Sequence, residues 1–291
     1  MKSLLKYTLL VGIVLSFNVS ALSQNISIPD TLQGLEKNWT ASLNGSQAAY
    51  DNWSQGGISS VSGTAASTLT LMFQEGQISY GFRTSLKYGQ ANIKDQGVRK
   101  TDDLISIRSR INYRFIPDGT ISGYGSVHLR TQFDKGFEYS NSDDQPDLLI
   151  SKFFAPAYLT EGLGFAYNPG DAFTFEAGLG LKQTFVTDNN LATVYGLDPG
   201  ENFRSEGGLT TGINFEKEVF KDMVYISSLE TFTNLLIPID ETDVFWGNEI
   251  VGKINSLVSA SFQFELRYDN DYSSELQVKQ VLSAGISISL Y

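Results

Sequence analysis

The sequence predicts an all-β protein: an antiparallel, transmembrane, up-and-down β-barrel of about twelve strands. Three observations support this fold class. Apolar and polar side chains alternate along most of the chain, short turns alternate with longer polar loops, and aromatic residues fall near predicted strand ends. An even number of antiparallel strands, with short turns at one end and long loops at the other, is typical of outer-membrane barrels. A soluble β-sandwich would also show alternating apolar and polar residues, but it has no reason to place its short connections at one end and its long ones at the other.

The N-terminus has the pattern of an export signal. Met1–Lys6 contains two lysines, and Tyr7–Phe17 is an apolar run. That run is shorter than the ~20 residues that a spanning helix needs. Ala21 and Ser23 are small residues before a cut that would leave Gln24 first, as signal peptidase prefers. The predicted division of the chain is a signal peptide over 1–23, a periplasmic lead-in over 24–37 and the barrel over 38–291.

The first half of the chain contains five predicted strands. They are predicted at Trp39–Ala48, Ser59–Phe73, Ile78–Tyr88, Ile105–Phe115 and Ile121–Phe133. Gln74–Gln77 forms a short turn between the second and third strands. Pro117-Asp118-Gly119, a strong turn signal, joins the fourth and fifth. The polar stretch Ala91–Lys100 is predicted to be a long loop.

A hairpin from Gly162 to Lys182 is the clearest element. On each side of Asn168-Pro169-Gly170-Asp171, apolar residues share one parity. Side chains on a strand alternate between its two faces, so each run has one apolar face. Asn, Pro, Gly and Asp together favour a turn. Two long loops, Lys135–Ala157 and Thr187–Asn202, flank this hairpin.

Five further strands complete the predicted barrel. They are predicted at Phe203–Phe215, Met223–Leu235, Val244–Val251, Val258–Tyr268 and Val278–Tyr291. Aromatic residues near strand ends are expected to form girdles at the membrane interfaces. These are Tyr80, Tyr88, Tyr113, Phe115, Tyr167, Phe173, Phe215, Trp246 and Tyr268. The chain ends on an aromatic residue, Tyr291, as outer-membrane proteins typically do.

Composition excludes one class of partner. The chain has 21 Lys and Arg against 32 Asp and Glu, which gives a net charge of -11. A nucleic-acid partner would require a basic surface, so none is predicted. The absence of cysteine is compatible with an oxidising compartment.

Charged residues on the face opposite the aromatic parity are predicted to line the lumen, because a charge facing lipid near the midplane costs about 2 to 4 kcal/mol. The predicted basic wall comprises Arg83, Lys87, Arg108, Arg110, Arg114, His128 and Arg130, and the predicted acidic wall comprises Glu176, Glu206, Glu230, Glu249 and Glu265. Two functions follow. A narrow channel for small polar solutes would keep these walls apart across water. A closed barrel, with a structural or interaction role through its extracellular loops, would pair them.

An outer-membrane enzyme is a third function, which the residues favour least. A phospholipase-type site needs a Ser/His pair with an orienting polar group, and the only histidine is His128, predicted inward beside Arg130. The sequence contains no nucleophile elbow and no zinc-ligand spacing. We therefore predict no enzymatic activity and no cofactor.

The acidic loops raise the alternative of calcium binding. The candidates are Asp143, Asp144, Asp147, Asp198, Glu201, Asp269, Asn270 and Asp271. None matches the ligand spacing of a known calcium loop, so no metal site is predicted and solvated loop ends are the simpler interpretation. Two loop aromatics, Trp53 and Tyr195, are interpreted as anchors at the membrane interface.

Short motifs spread over the mature chain resemble one protein family. They are Asn52-Trp53, Gly56-Gly57, Lys100, Asp102-Asp103, Thr131-Gln132-Phe133, Gly136, Ile150-Ser151, Phe154-Ala155-Pro156-Ala157-Tyr158, Gly162-Leu163-Gly164, Tyr167-Asn168-Pro169, Lys182, Thr184, Tyr195-Gly196 and Tyr268-Asp269. In order and spacing they resemble the domain of unknown function 3078, a family from the Bacteroidetes. The resemblance implies an outer-membrane barrel and no particular activity.

The expected partners follow from the fold. They are the lipid bilayer, the barrel-assembly machinery and small polar solutes as cargo of a channel. We expect a monomer in the bacterial outer membrane.

Overall fold

Twelve strands close into one antiparallel barrel in the computed structural model, as the sequence predicts. The structure describes residues 26, 28–29, 32–49, 59–117, 119–140, 146–170, 172–255, 258–271 and 273–290. The predicted signal peptide, Trp53, Asp143, Asp144 and Tyr291 lie outside these residues. The strands are β1 (Gly34–Ala48), β2 (Ser60–Glu75), β3 (Ile78–Ile93), β4 (Gly97–Arg114), β5 (Ile121–Thr131), β6 (Gly136–Glu138), β7 (Leu148–Ser151), β8 (Ala157–Gly170), β9 (Phe173–Phe185), β10 (Phe203–Phe220), β11 (Met223–Asn234), β12 (Asp243–Lys253), β13 (Val258–Asp269) and β14 (Ser273–Ser289).

Chain order is almost the same as order around the barrel. Each barrel strand pairs with its neighbour in sequence, and β1 pairs with β14 to close the sheet. The exception is β5, which pairs with β8 because β6 and β7 form a separate small sheet within one loop. Closure leaves no unpaired sheet edge, which a membrane-spanning sheet requires.

The barrel is apolar outside and polar inside. On the β8–β9 hairpin, Leu163, Phe165 and Leu179 have exposed fractions of 71%, 64% and 61%. The side chains of opposite parity, Lys182 and Thr184, are buried. This inverts the arrangement of a soluble protein and is that of a barrel surrounded by lipid, so the chain is an outer-membrane β-barrel. No helix in the described residues is long and apolar enough to cross a membrane.

Tight turns and both ends of the described barrel lie at one end, which we call the turn end. There, two-residue turns follow β2 and β10, and β1 begins at Gly34, inside the predicted lead-in. The opposite, loop end carries the connections over 132–156, 186–202 and 235–242. The prediction of a long loop over Ala91–Lys100 is wrong, because β3 and β4 continue to a three-residue turn. Polar residues there mark strands that extend into water, where the sheet still satisfies the backbone.

The loop end carries a folded cap. Residues of the β7–β8 connection and of the 186–202 loop form a buried cluster of Ala155, Val186, Leu191, Ala192, Tyr195 and Leu197. The Tyr195 hydroxyl donates a hydrogen bond to the carbonyl oxygen of Ile150 (2.7 Å). The interpretation of Tyr195 as an interface anchor is therefore wrong, since this ring fixes one loop to another.

A short 3-10 helix, Asn189–Tyr195, begins at an N-cap within this cap. The Asp188 side chain accepts a hydrogen bond from the N–H of Asn190. It also forms an ion pair with Lys152 (2.8 Å). The Lys152 ammonium, together with that N–H, holds the pKa of Asp188 below its ordinary value. The charged carboxylate therefore stabilises the cap at neutral pH, and this contribution is lost as pH falls through that lowered pKa.

Candidate functional site: a charged lumen

Strand β4 carries charged side chains into the lumen from the loop end to the turn end. Near the loop end, Asp102 binds Lys87 of β3 (3.4 Å) and Lys279 of β14 (2.7 Å). Arg108 and Arg110 follow in the middle. At the turn end, Arg114 donates a hydrogen bond to the carbonyl oxygen of Gly76 (3.0 Å). These four residues are separated by even numbers of positions because side chains on a strand alternate between its faces, so every second residue faces inward.

Two ion pairs join different walls of the lumen in its middle. Arg108 of β4 binds Glu230 of β11 at 3.1 Å, and Arg110 binds Glu176 of β9 at 2.8 Å. Strands β4 and β11 stand on opposite walls, with four strands between them on one side and six on the other. The four side chains are at most 30% exposed. Removing one partner would leave a largely desolvated charge unpaired, which costs about 3 to 5 kcal/mol in buried pairs.

A second set of ion pairs lies near the loop end. The Lys182 ammonium lies 2.5 Å from a carboxylate oxygen of Asp243, 3.5 Å from Asp269 and 3.0 Å from Asp271. Arg204 pairs with Asp271 as well. The three aspartates could supply one oxygen each to a cation, but Lys182 already provides the positive charge between them. The absence of a metal site therefore stays a prediction.

Three more predicted lumen residues make contacts within their own part of the wall. Arg83 donates to Thr70 Oγ1 (3.1 Å), Glu206 binds Arg204 (3.0 Å) and Asn234 (2.9 Å), and Glu249 accepts from Gln263 (2.9 Å). Glu265 lines a central cavity of about 110 Å³ together with Arg83 and Glu249. The two walls are not uniform in sign, because Asp102 stands among the basic residues and Lys182 among the acidic ones.

His128 lies beside a serine that sequence reasoning did not single out. Its Nε2 is 3.0 Å from Ser106 Oγ, and its Nδ1 is 3.0 Å from Arg108 Nη2. A guanidinium group only donates hydrogen bonds, so Nδ1 must accept and Nε2 must carry the proton of the neutral ring. His128 therefore donates to Ser106. A nucleophilic serine requires the reverse, a histidine nitrogen free to accept its proton.

Five aromatic residues line a larger cavity, which we call the aromatic cavity. Its volume is about 230 Å³, and these residues are Tyr124, Tyr158, Phe232, Phe245 and Tyr268. Cations stack on three of them. Arg110 lies 4.2 Å from the centroid of Tyr124, Lys182 lies 5.9 Å from Phe232, and Arg267 lies 5.3 Å from Phe245. Sequence reasoning missed Phe245 because aromatic residues were assigned to the lipid face. Phe245 nevertheless has the opposite parity to the exposed Trp246 and therefore faces the lumen.

The N-terminal segment enters the lumen at the turn end. Ile26 is only 5% exposed, and a Cβ added to Gly81 of β3 would collide with its side chain. Ile26, Ile28 and Pro29 line a turn-end cavity of about 80 Å³ together with Arg110, Glu176 and other lumen residues. Ile26, Ile28 and Pro29 of the predicted lead-in are thus part of the lumen filling. No signal in the sequence distinguishes it from a free segment.

Comparisons with known proteins give a family match and several similar folds. The family described as Protein of unknown function (DUF3078) matches residues 45–137, which confirms the resemblance over that range. None of the curated proteins matches this chain.

Three solved structures illustrate the similar folds. The translocator domain of autotransporter NalP from Neisseria meningitidis is 14% identical, covers 89% of each chain and has a TM-score of 0.41. The COG4313 outer membrane channel from Pseudomonas putida F1 is 10% identical over 94% of this chain and 99% of that one, with a TM-score of 0.42. Outer membrane phospholipase A from Escherichia coli is 12% identical over 91% and 94%, with a TM-score of 0.37. A translocator, a channel and an enzyme do not single out one function.

Proposed function

We propose that this outer-membrane barrel is a narrow channel for small polar solutes, and that ion pairs across its lumen close it in this structure. The links Arg108–Glu230 and Arg110–Glu176 between different walls are the pairing expected of a closed barrel, so the observation that carries the channel proposal is the space left beside them. A barrel plugged for rigidity would fill its interior with packed side chains. This lumen instead retains cavities of about 80, 110 and 230 Å³.

The dimensions of the barrel support a narrow pathway. Small barrels of about eight strands are filled by their own side chains, and porins of about sixteen to eighteen strands hold a wide channel. Twelve strands fall between these cases, so a few long side chains are sufficient to close the lumen. Exchange of the arginines between lumen carboxylates would open such a closure without leaving a buried charge unpaired, which makes the closure reversible.

Residues of the N-terminal segment and of the cap line the lumen at its two ends. Ile26 enters at the turn end, where it packs against Gly81. At the loop end, a loop cavity of about 260 Å³ is lined by the folded cap through Ile150 and Tyr195, and by the lumen through Arg130 and Arg267. Opening would therefore require movement of the cap and the N-terminal segment as well as separation of the ion pairs.

The test is single-channel recording of the refolded protein in a planar bilayer. The informative variant is the double substitution Arg108→Gln with Glu230→Gln, which removes the link without leaving an unpaired charge. The matched control is Lys221→Gln with Asp222→Asn at the exposed β10–β11 turn, which also keeps the net charge. We expect rare, small current steps for the wild type and the control, and steps at least several-fold more frequent or larger for the lumen variant.

Silence from both the wild type and the lumen variant would contradict the channel, provided that each shows the heat-dependent gel mobility of a folded barrel. The closed barrel with a role through its loops would then replace it. That second candidate is supported by the β11–β12 loop, where Leu236 and Ile239 are 90% and 79% exposed.

A further inference from the structure

We infer that the lumen contains a binding site for small carboxylates that carry a flat apolar group, formed by Arg130, Arg267 and Phe245. This inference supplies a solute class for the proposed channel, so its transport aspect rests on that proposal. The binding itself does not, because a closed barrel could hold the same ligand.

Two arginines from opposite walls converge on one ring. Phe245 of β12 is directly paired with Arg267 of β13, whose guanidinium carbon lies 5.3 Å from the ring centroid. Arg130 belongs to β5, separated from β12 by four strands on one side and six on the other. It nevertheless reaches across the lumen to within 5.8 Å of the same centroid. The guanidinium groups of Arg130 and Arg267 are therefore brought together at the ring of Phe245.

Neither guanidinium is held in an ion pair. Within the described residues, Arg130 and Arg267 take part in no ion pair and no hydrogen bond. Both contact the ring of Phe245, and Glu265 and Glu230 act on Arg130 only through longer-range electrostatic attraction. By contrast, Arg108 and Arg110 each bind a carboxylate. A cation–π contact stabilises a guanidinium group by less than the cost of removing its charge from water. An anion bound between the two groups would supply the missing compensation.

The acidic residues of the same cavity are already paired. Glu230 binds Arg108, Glu176 binds Arg110, and Asp243 and Asp269 bind Lys182. Counted over the residues that line the aromatic cavity, five cations face four carboxylates, which is a local excess of one positive charge in a chain of net charge -11. Guanidinium groups offer two parallel N–H donors that match the two oxygens of a carboxylate, so a carboxylate is the anion that fits best.

The surrounding cavity selects the rest of the ligand. Tyr124, Tyr158 and Phe232 line it with Phe245, and its volume is about 230 Å³. A cavity of about 150 Å³ accommodates benzene, so the aromatic cavity has room for one ring with a carboxylate attached. Arg130, Arg267 and Tyr158 also line the loop cavity. The site therefore lies between the cap and the middle of the lumen, on the path that a solute would take.

The test is calorimetric titration of the detergent-solubilised protein with benzoate at low ionic strength. Acetate, which lacks the ring, and benzylamine, which carries the opposite charge, are titrated in parallel. The variants are Arg130→Gln, Arg267→Gln and Phe245→Leu. The matched control is Arg99→Gln, because Arg99 also stacks on an aromatic ring, Tyr139 at 4.3 Å, but lies in the extended part of β4 near the loop end.

We expect one benzoate per chain, with affinity at least tenfold lower in both lumen arginine variants and unchanged in the Arg99 variant. Acetate should bind at least tenfold more weakly than benzoate, Phe245→Leu should remove that difference, and benzylamine should not bind. Benzoate that fails to bind at millimolar concentration, binds equally to the Arg130 and Arg99 variants, or binds no better than acetate overturns the inference. Gel mobility confirms the fold of each variant.

Bilayer recording separates the two proposals. Benzoate binding by a protein that never conducts would support the site and contradict the channel. Current steps from a protein that does not bind benzoate would support the channel and overturn the site. If both hold, benzoate should reduce the current, and the reduction should be lost in Arg130→Gln.

Discussion

Ser106 and His128 are close enough for a catalytic pair but have the wrong hydrogen-bond direction. The 3.0 Å separation is within the range seen for a nucleophile and its base. Arg108, however, occupies Nδ1, the atom that a carboxylate or amide orients in hydrolases. The same arginine is bound to Glu230 on the opposite wall. The histidine is therefore part of the cross-lumen network and is held as a hydrogen-bond donor.

This arrangement predicts that Ser106 is not activated. Treatment of the folded protein with phenylmethylsulfonyl fluoride should give no adduct on Ser106 by peptide mass spectrometry. Ser126, a lumen serine lining the aromatic cavity, serves as the internal comparison and should be equally unreactive. An adduct on Ser106 that disappears in His128→Gln would contradict this assignment and reopen the enzyme hypothesis.

The β8–β9 hairpin shows what glycine contributes to a strand pair. Gly164 lies directly opposite Gly178, and a Cβ on either residue would collide with the carbonyl oxygen of Ala177 or Leu163. The two backbones approach more closely than any side chain would allow. The sequence predicts this hairpin from its turn and alternation, but the closeness of the strands is visible only in the pairing.

Replacing Gly164 should therefore destabilise the barrel. We expect Gly164→Ala to lower the free energy of unfolding by about 1 to 3 kcal/mol, as overpacking does in well-packed sites. The measurement is urea unfolding in lipid vesicles followed by tryptophan fluorescence. Gly207→Ala is the control, because its added methyl would meet only Leu181 Cδ2 at 3.8 Å. Equal stability of the two variants would show that the strands can separate at no cost.

The sorting of turns and loops predicts the orientation of the whole molecule in its membrane. Turns and strand termini gather at one end, and the cap and long loops at the other. Barrels of this type place the short turns in the periplasm and the long loops outside the cell. Since the chain has no cysteine, a single introduced thiol reports the side of the membrane without ambiguity.

Surface labelling of intact cells should follow this orientation. A membrane-impermeant maleimide should label Leu236→Cys, at the loop end, without any treatment of the cells. Lys221→Cys, at the exposed β10–β11 turn, should be labelled only after the outer membrane is permeabilised. The reverse pattern would place the turns outside and would refute the assigned orientation.

The sequence by itself determined the barrel and its inside-out polarity, and it predicts which charged residues face the lumen. These properties follow from local alternation and turn chemistry, because a strand has a strict period of two and a turn residue acts on its own neighbours. Arg108 and Glu230 could thus be placed inward from the sequence. The extent of β3 and β4 could not, since polar residues occur both in loops and in strands that rise above the membrane.

Only the tertiary structure decided which lumen residues meet. Arg108 and Glu230 are 122 positions apart, and Arg130 and Phe245 come from opposite walls. Their proximity depends on the number of strands, their tilt and their register, which together set the width of the barrel. None of these quantities is contained in the local pattern. The same lumen charges are compatible with separated walls or with ion pairs, and the closure of the sheet is what brought them together.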